Sequence, residues 1–113
     1  MNIQKISAQN STFGFKLSGY TEHIMQEARE KLEKEANGRA YYLPLDSFKQ
    51  NMNTIKTMCP DKSLETEEYN NHGAKYAVTD KDGNGTEFSI NGFDPCLGLL
   101  AAKLKQLQKD GVI

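Results

Sequence analysis

The sequence predicts an α+β domain: a small, mostly antiparallel sheet with a β-hairpin in its C-terminal half and about three amphipathic helices packed on it. Three observations lead there. Apolar residues recur at helical spacing in three separate stretches, Ile24–Ala28–Leu32, Phe48–Met52–Ile55 and Leu97–Leu100–Leu104–Leu107. Between residues 76 and 90 the period changes to two, with Tyr76 and Val78 before the turn-rich DKDGNG and Phe88 and Ile90 after it. Finally, 113 residues with 37% hydrophobic and 26% charged residues suit one soluble core, because a chain of this length buries about two-thirds of its unfolded surface.

Residues 1–12 are expected to form a leader outside a single compact domain spanning 13–113. Ile3 and Ile6, a polar spacer and then Phe13-Gly14 make up an opening that resembles the leaders of many gut-bacterial proteins. That likeness covers about fifteen residues and implies no function. Phe13, Phe15 and Leu17 alternate with Gly14 and Lys16, which predicts a half-buried first strand. The first helix is expected to be capped by Thr21, with Glu22 in its first turn and Asn37-Gly38 as its stop. Its other face carries Glu27–Lys31, Arg29–Glu33 and Glu30–Lys34 at i,i+4, a solvated pattern.

Arg39–Leu45 is short, aromatic and interrupted by Pro44, and is expected to be a second strand that leaves the sheet there. Asp46 is then placed to cap a second helix carrying Phe48, Met52, Ile55 and Cys59, limited by Pro60. Residues 61–73, acidic at their centre, predict a long surface loop with one helical turn at Leu64–Glu68. After the hairpin, Asp94 is expected to cap the last helix, with Pro95 at its first position and Gly111 beyond its end. The expected order is strand, helix, strand, helix, hairpin, helix.

Composition narrows the function classes. Fourteen Lys/Arg against fifteen Asp/Glu leave a formal net charge of -1, which gives no global attraction to nucleic acid or an anionic membrane. No apolar run approaches the ~20 residues that span a bilayer. The first twenty residues lack the continuous apolar stretch of a secretory signal, so the expected compartment is the cytoplasm. Cys59 and Cys96 are too few for a disulfide framework or a structural zinc site, and reduced thiols are the plain expectation, with a single bridge left open.

Three constellations could carry chemistry. Asp80, Asp82 and Asn84, followed by Gly85, resemble the opening of an EF-hand calcium loop, with oxygen ligands at alternate positions and glycine at the sharp turn. The twelfth position is Asn91 in place of the bidentate carboxylate, and strand-like sequences flank the loop instead of helices. The plain alternative is a hairpin loop of residues that tolerate positive φ. Cys96 at the start of a helix and His72 at the start of a strand resemble the permuted papain-like cysteine hydrolases. That resemblance implies Cys96 as nucleophile and His72 as general base, with His23 or Asn71 as a third, orienting group. The alternative is a packed thiol and a solvated histidine. Arg39, Tyr41, Tyr42, Lys103, Lys105 and Lys109 interleave basic and aromatic residues as single-strand nucleic-acid binders do, but lie far apart in sequence.

The three helices and the hairpin account for nearly every apolar residue. The favoured expectation is therefore a non-catalytic interaction or accessory protein of bacterial or phage type, with no cofactor, no nucleic acid and no membrane. Its partner is another protein or a second copy, met through Tyr41, Tyr42 and Leu99. The cysteine hydrolase is the alternative, and the calcium loop at 80–86 a weaker one.

Overall fold

Residues 14–113 are described by a computed structural model. The expected leader and Phe13 lie outside the described residues. Elements follow in the order β1 (Lys16–Leu17), α1 (Gly19–Ala36), α2 (Leu43–Lys56), β2 (Lys62–Asn70), β3 (Gly73–Asp80), β4 (Gly85–Asn91) and α3 (Gly98–Lys109). The strands lie side by side as β1-β2-β3-β4. β1 runs parallel to β2, and the other two pairings are antiparallel. The α+β class, the mostly antiparallel sheet, the hairpin and the three helices are all present.

The core is built from one face of this sheet and the apolar stripes of the helices. Leu64, Tyr76, Val78, Phe88 and Ile90 supply the sheet side, and Met25, Leu32, Phe48, Ile55, Leu100 and Leu104 the helical side. Tyr76 and Phe88 are cross-strand partners whose rings stack at 5.7 Å. Such burial stabilises each large side chain by roughly 1.5–3 kcal/mol. The opposite face carries Glu65, Ala77 and Glu87 in one cross-strand row. Lys75 there sits 3.8 Å from Glu67 and 3.5 Å from Glu87.

Two expected elements are corrected. Arg39–Leu45 is not a strand: it is a short connection followed by the start of α2, with Pro44 in the first turn. Proline has no N–H to donate and a fixed φ near -65°, both of which suit that position. Residues 61–73 are not a surface loop, because β2 occupies most of them and lies between β1 and β3. Leu64 and Thr66 face the core, then the register shifts between Thr66 and Glu68, leaving Glu67 as an extra residue. The bulge resets the alternation so that Tyr69, three residues after Thr66, turns back toward Phe93 at 6.3 Å. A strand interrupted in this way shows no period of two.

Helix ends also shift. Ser18, not Thr21, caps α1: its Oγ accepts from the Thr21 amide at 3.2 Å. Asn37 closes α1 in the left-handed region at φ 51°, as its place before Gly38 suggests. α2 starts before Asp46, which falls in its first turn. α3 begins at Gly98, so Pro95 and Cys96 precede it in a turn closed by the Leu97 amide on the Asp94 carbonyl. Asp94 still serves the helix, because its carboxylate accepts from the Leu99 amide at 2.6 Å.

Thr21 is released from capping for another task. It is fully buried, and its Oγ1 lies 2.8 Å from Ser18 Oγ and 2.8 Å from Thr66 Oγ1. The Ser18 amide donates to the Leu64 carbonyl beside this row. Three hydroxyls thus join the first turn of α1 to β2. Gly14, just upstream, lies so close to the Lys56 carbonyl that any Cβ there would collide with backbone.

Thr21→Val keeps the shape of the side chain and leaves Thr66 without its buried partner. Urea unfolding is expected to show a loss of about 1–3 kcal/mol. The double variant Thr21→Val/Thr66→Val removes both polar groups and is expected to return to within about 1 kcal/mol of wild type.

Candidate functional site

The three helices are packed in a fixed sense. The Tyr42 hydroxyl, at the start of α2, donates to Glu35 near the end of α1, while Lys56 at the end of α2 abuts Gly14 just before α1. α1 and α2 are therefore antiparallel. α2 and α3 are parallel, because Cys96 Sγ donates to the Pro44 carbonyl at 3.4 Å and Asn51 Nδ2 to the Cys96 carbonyl at 2.8 Å, whereas Gln108 reaches Cys59. The N-terminal ends of α2 and α3 meet at one end of the helical layer.

That shared end holds the expected interaction residues. Tyr41 is 69% exposed and Leu99 51% exposed. Tyr42 differs: it is half-buried, hydrogen-bonded to Glu35 and covered by the Arg39 guanidinium, 4.6 Å from its ring centroid. Leu43, which the sequence reading missed, is 61% exposed. The signal was available in the spacing. Leu45, Phe48, Met52 and Ile55 form the core stripe of α2 at i, i+3, i+7 and i+10, and Leu43 falls outside it. Tyr41 and Leu43 border a shallow hollow of about 360 Å³ with Asp46, Ser47, Lys49 and Gln50.

Cys96 and His72 have separate surroundings. His72 is exposed in the turn between β2 and β3, its amide held by Asn70 Oδ1 at 2.7 Å and its carbonyl by the Gly92 amide. The shallow depression that includes His72 and Asn70 does not include Cys96. Cys96 is half-buried between the starts of α2 and α3, and burial, followed by the charges of Asp94 and Glu35, pushes its thiol pKa up. His23 lies on α1, in an ion-pair geometry with Glu27 at 3.5 Å. Asn71 shares the turn of His72.

Asp80, Asp82 and Asn84 stay together in the β3–β4 turn. Asp80 Oδ1 accepts from the amides of Asp82 at 2.9 Å and Asn84 at 3.0 Å, and Gly83 supplies the positive φ. One carboxylate oxygen is thus committed to shaping the turn. Among the described residues, no three His, Cys, Asp or Glu side chains group so as to hold a metal ion.

Arg39 is occupied in closing α1, donating from Nε to the Ala36 carbonyl and from Nη2 to that of Glu35. Lys109 lies at the far end of α3 from the Tyr41 region. The basic and aromatic residues therefore form no single strip. The two cysteines are both unpaired and sit at opposite ends of α3. Twelve helical residues rise about 18 Å, far beyond the 4.4–6.8 Å Cα separation of a disulfide. Among the described residues, no helix is long and apolar enough to cross a membrane.

No protein-family model, curated protein or solved structure matches the chain.

Burial also raises the pKa values of Cys59 and, more strongly, Tyr76. All three groups ionise more readily when unfolded, so their stabilising effect is complete below about pH 8.5. It is lost as pH rises through the thiol and then the tyrosine range, and urea midpoints are expected to fall above about pH 9. Iodoacetamide labelling of Cys96 at pH 7 is expected to be slower than that of free cysteine. Labelling faster than free cysteine at that pH would contradict a protonated thiol.

Proposed function

We propose that this chain is a non-catalytic interaction domain that binds a protein through the N-terminal ends of α2 and α3. The observation that carries this reading is that exposed apolar side chains stand at the starts of both helices, which meet at one end of the helical layer. Tyr41, Leu43 and Leu99 are each more than half exposed, and the Cys96–Pro44 and Asn51–Cys96 hydrogen bonds hold their two helices side by side.

Large apolar side chains left in water gain free energy when a partner covers them, and rigid placement lowers the ordering cost of binding. Tyr41 adds a hydroxyl at the rim and a large flat surface, a composition enriched in binding hot spots. We place the domain in a reducing cytoplasm of bacterial or phage origin. Two free thiols held apart by α3 suit that setting.

A photo-crosslinking residue at Leu43 is expected to give one discrete adduct in expressing cells, with a second copy or another protein. The same residue at Lys105, exposed on α3, serves as control and is expected to give none. Leu99→Lys is expected to weaken association about tenfold or more, the equivalent of roughly 1.4 kcal/mol. Equal adducts at both positions, or undiminished association of the Leu99 variant, would contradict the assignment.

A further inference from the structure

A second concave surface runs along the helical layer and meets that end at Lys49. It is a groove of about 790 Å³ between α1 and α2, within the size range of small-molecule sites. Met25 and Phe48, 3% and 2% exposed, form its floor with Met52. Methionine suits such a floor because an unbranched, polarisable side chain adapts to varied apolar shapes.

The groove walls are charged and graded. α1 contributes Glu22 and Arg29, α2 contributes Lys49 and Lys56, and both pairs are spaced i,i+7 along one face. Because the helices are antiparallel, Arg29 and Lys49 stand at one end, and Glu22 and Lys56 at the other. His23 also lines the Glu22 end. Arg29 has Glu33 at 3.6 Å, an exposed pair that contributes little, and among the described residues Lys49 has no carboxylate within salt-bridge distance. Arg29 and Lys49 therefore line the groove toward one end, Arg29 beside Glu33, while Glu22 and Lys56 line it toward the other.

We propose that the α1–α2 groove binds an amphiphilic carboxylate, with its acyl chain along Met25, Phe48 and Met52 and its head group between Arg29 and Lys49. Seven residues separate the two ends along each helix, about 10 Å, which matches an extended chain of medium length. The guanidinium takes the carboxylate through paired donors, and Lys49 adds a point charge. A cationic head on the same chain would meet repulsion at the Arg29–Lys49 end.

The test uses the full chain with ¹³C-methyl-labelled methionine, titrated with decanoate below its micellar concentration. Saturable shifts are expected at Met25 and Met52, while Met58, buried outside the groove, stays unmoved. Lys49→Glu, at an exposed position, is expected to weaken binding about tenfold or more, and Arg29→Gln by a smaller factor in the same direction. Decyltrimethylammonium is expected to bind at least about tenfold more weakly than decanoate. Equal affinity for both head groups, undiminished binding by the Lys49 variant, or no saturable shift at Met25 and Met52 would overturn the proposal.

Discussion

The row of hydroxyls from Ser18 through Thr21 to Thr66 sets where the first turn of α1 sits on the sheet, and the placement of the other helices builds on it. β1 is only two residues long and contributes little pairing of its own. What ties the start of α1 to the sheet is the buried Thr21 hydroxyl, 2.8 Å from each neighbour, and the Ser18 amide on the Leu64 carbonyl. A buried hydroxyl is tolerated only where a partner is in place, so this contact selects one position of helix on strand. Apolar burial alone would permit sliding.

From that joint the other placements follow. Fixing α1 fixes Met25 and Leu32 over the sheet and Glu35 where Tyr42 reaches it, which sets the antiparallel path of α2. α2 in turn receives Cys96 and holds the start of α3. The exposed Tyr41–Leu43–Leu99 end and the cationic groove are both consequences of this packing. They adjoin at Lys49, which borders both, and differ in chemistry: the first carries exposed apolar side chains at the starts of two helices, the second is an amphipathic groove.

How much of this was legible in the sequence depended on whether a residue's signal was local. α1, α3 and the hairpin announce themselves because their apolar spacing is regular and their turns carry Asn37-Gly38, Gly83 and Gly111, all with positive φ. β2 was hidden for two reasons. Its core positions include Thr66, a polar residue buried only because Thr21 meets it 45 residues away in sequence, and its bulge at Glu67 breaks the alternation. Pro44 misled because proline ends a strand and begins a helix equally well. At the candidate sites, exposed Tyr41 and Leu99 were within reach of pattern reasoning. The groove was not, since it exists only once α1 and α2 lie side by side. Cys96 depended on one turn: with α3 starting at Gly98, the thiol meets the Pro44 carbonyl, not the first helical amides.

Native-state hydrogen exchange tests the central claim most directly. If the hydroxyl row is the joint between the layers, the amides of Ser18, Glu22 and the Leu64–Thr66 stretch exchange only through global unfolding, with the same free energy as the β3–β4 hairpin. Exchange of Ser18 and Glu22 by low-energy local opening, while the hairpin keeps full protection, would contradict it and leave α1 held by apolar contact alone.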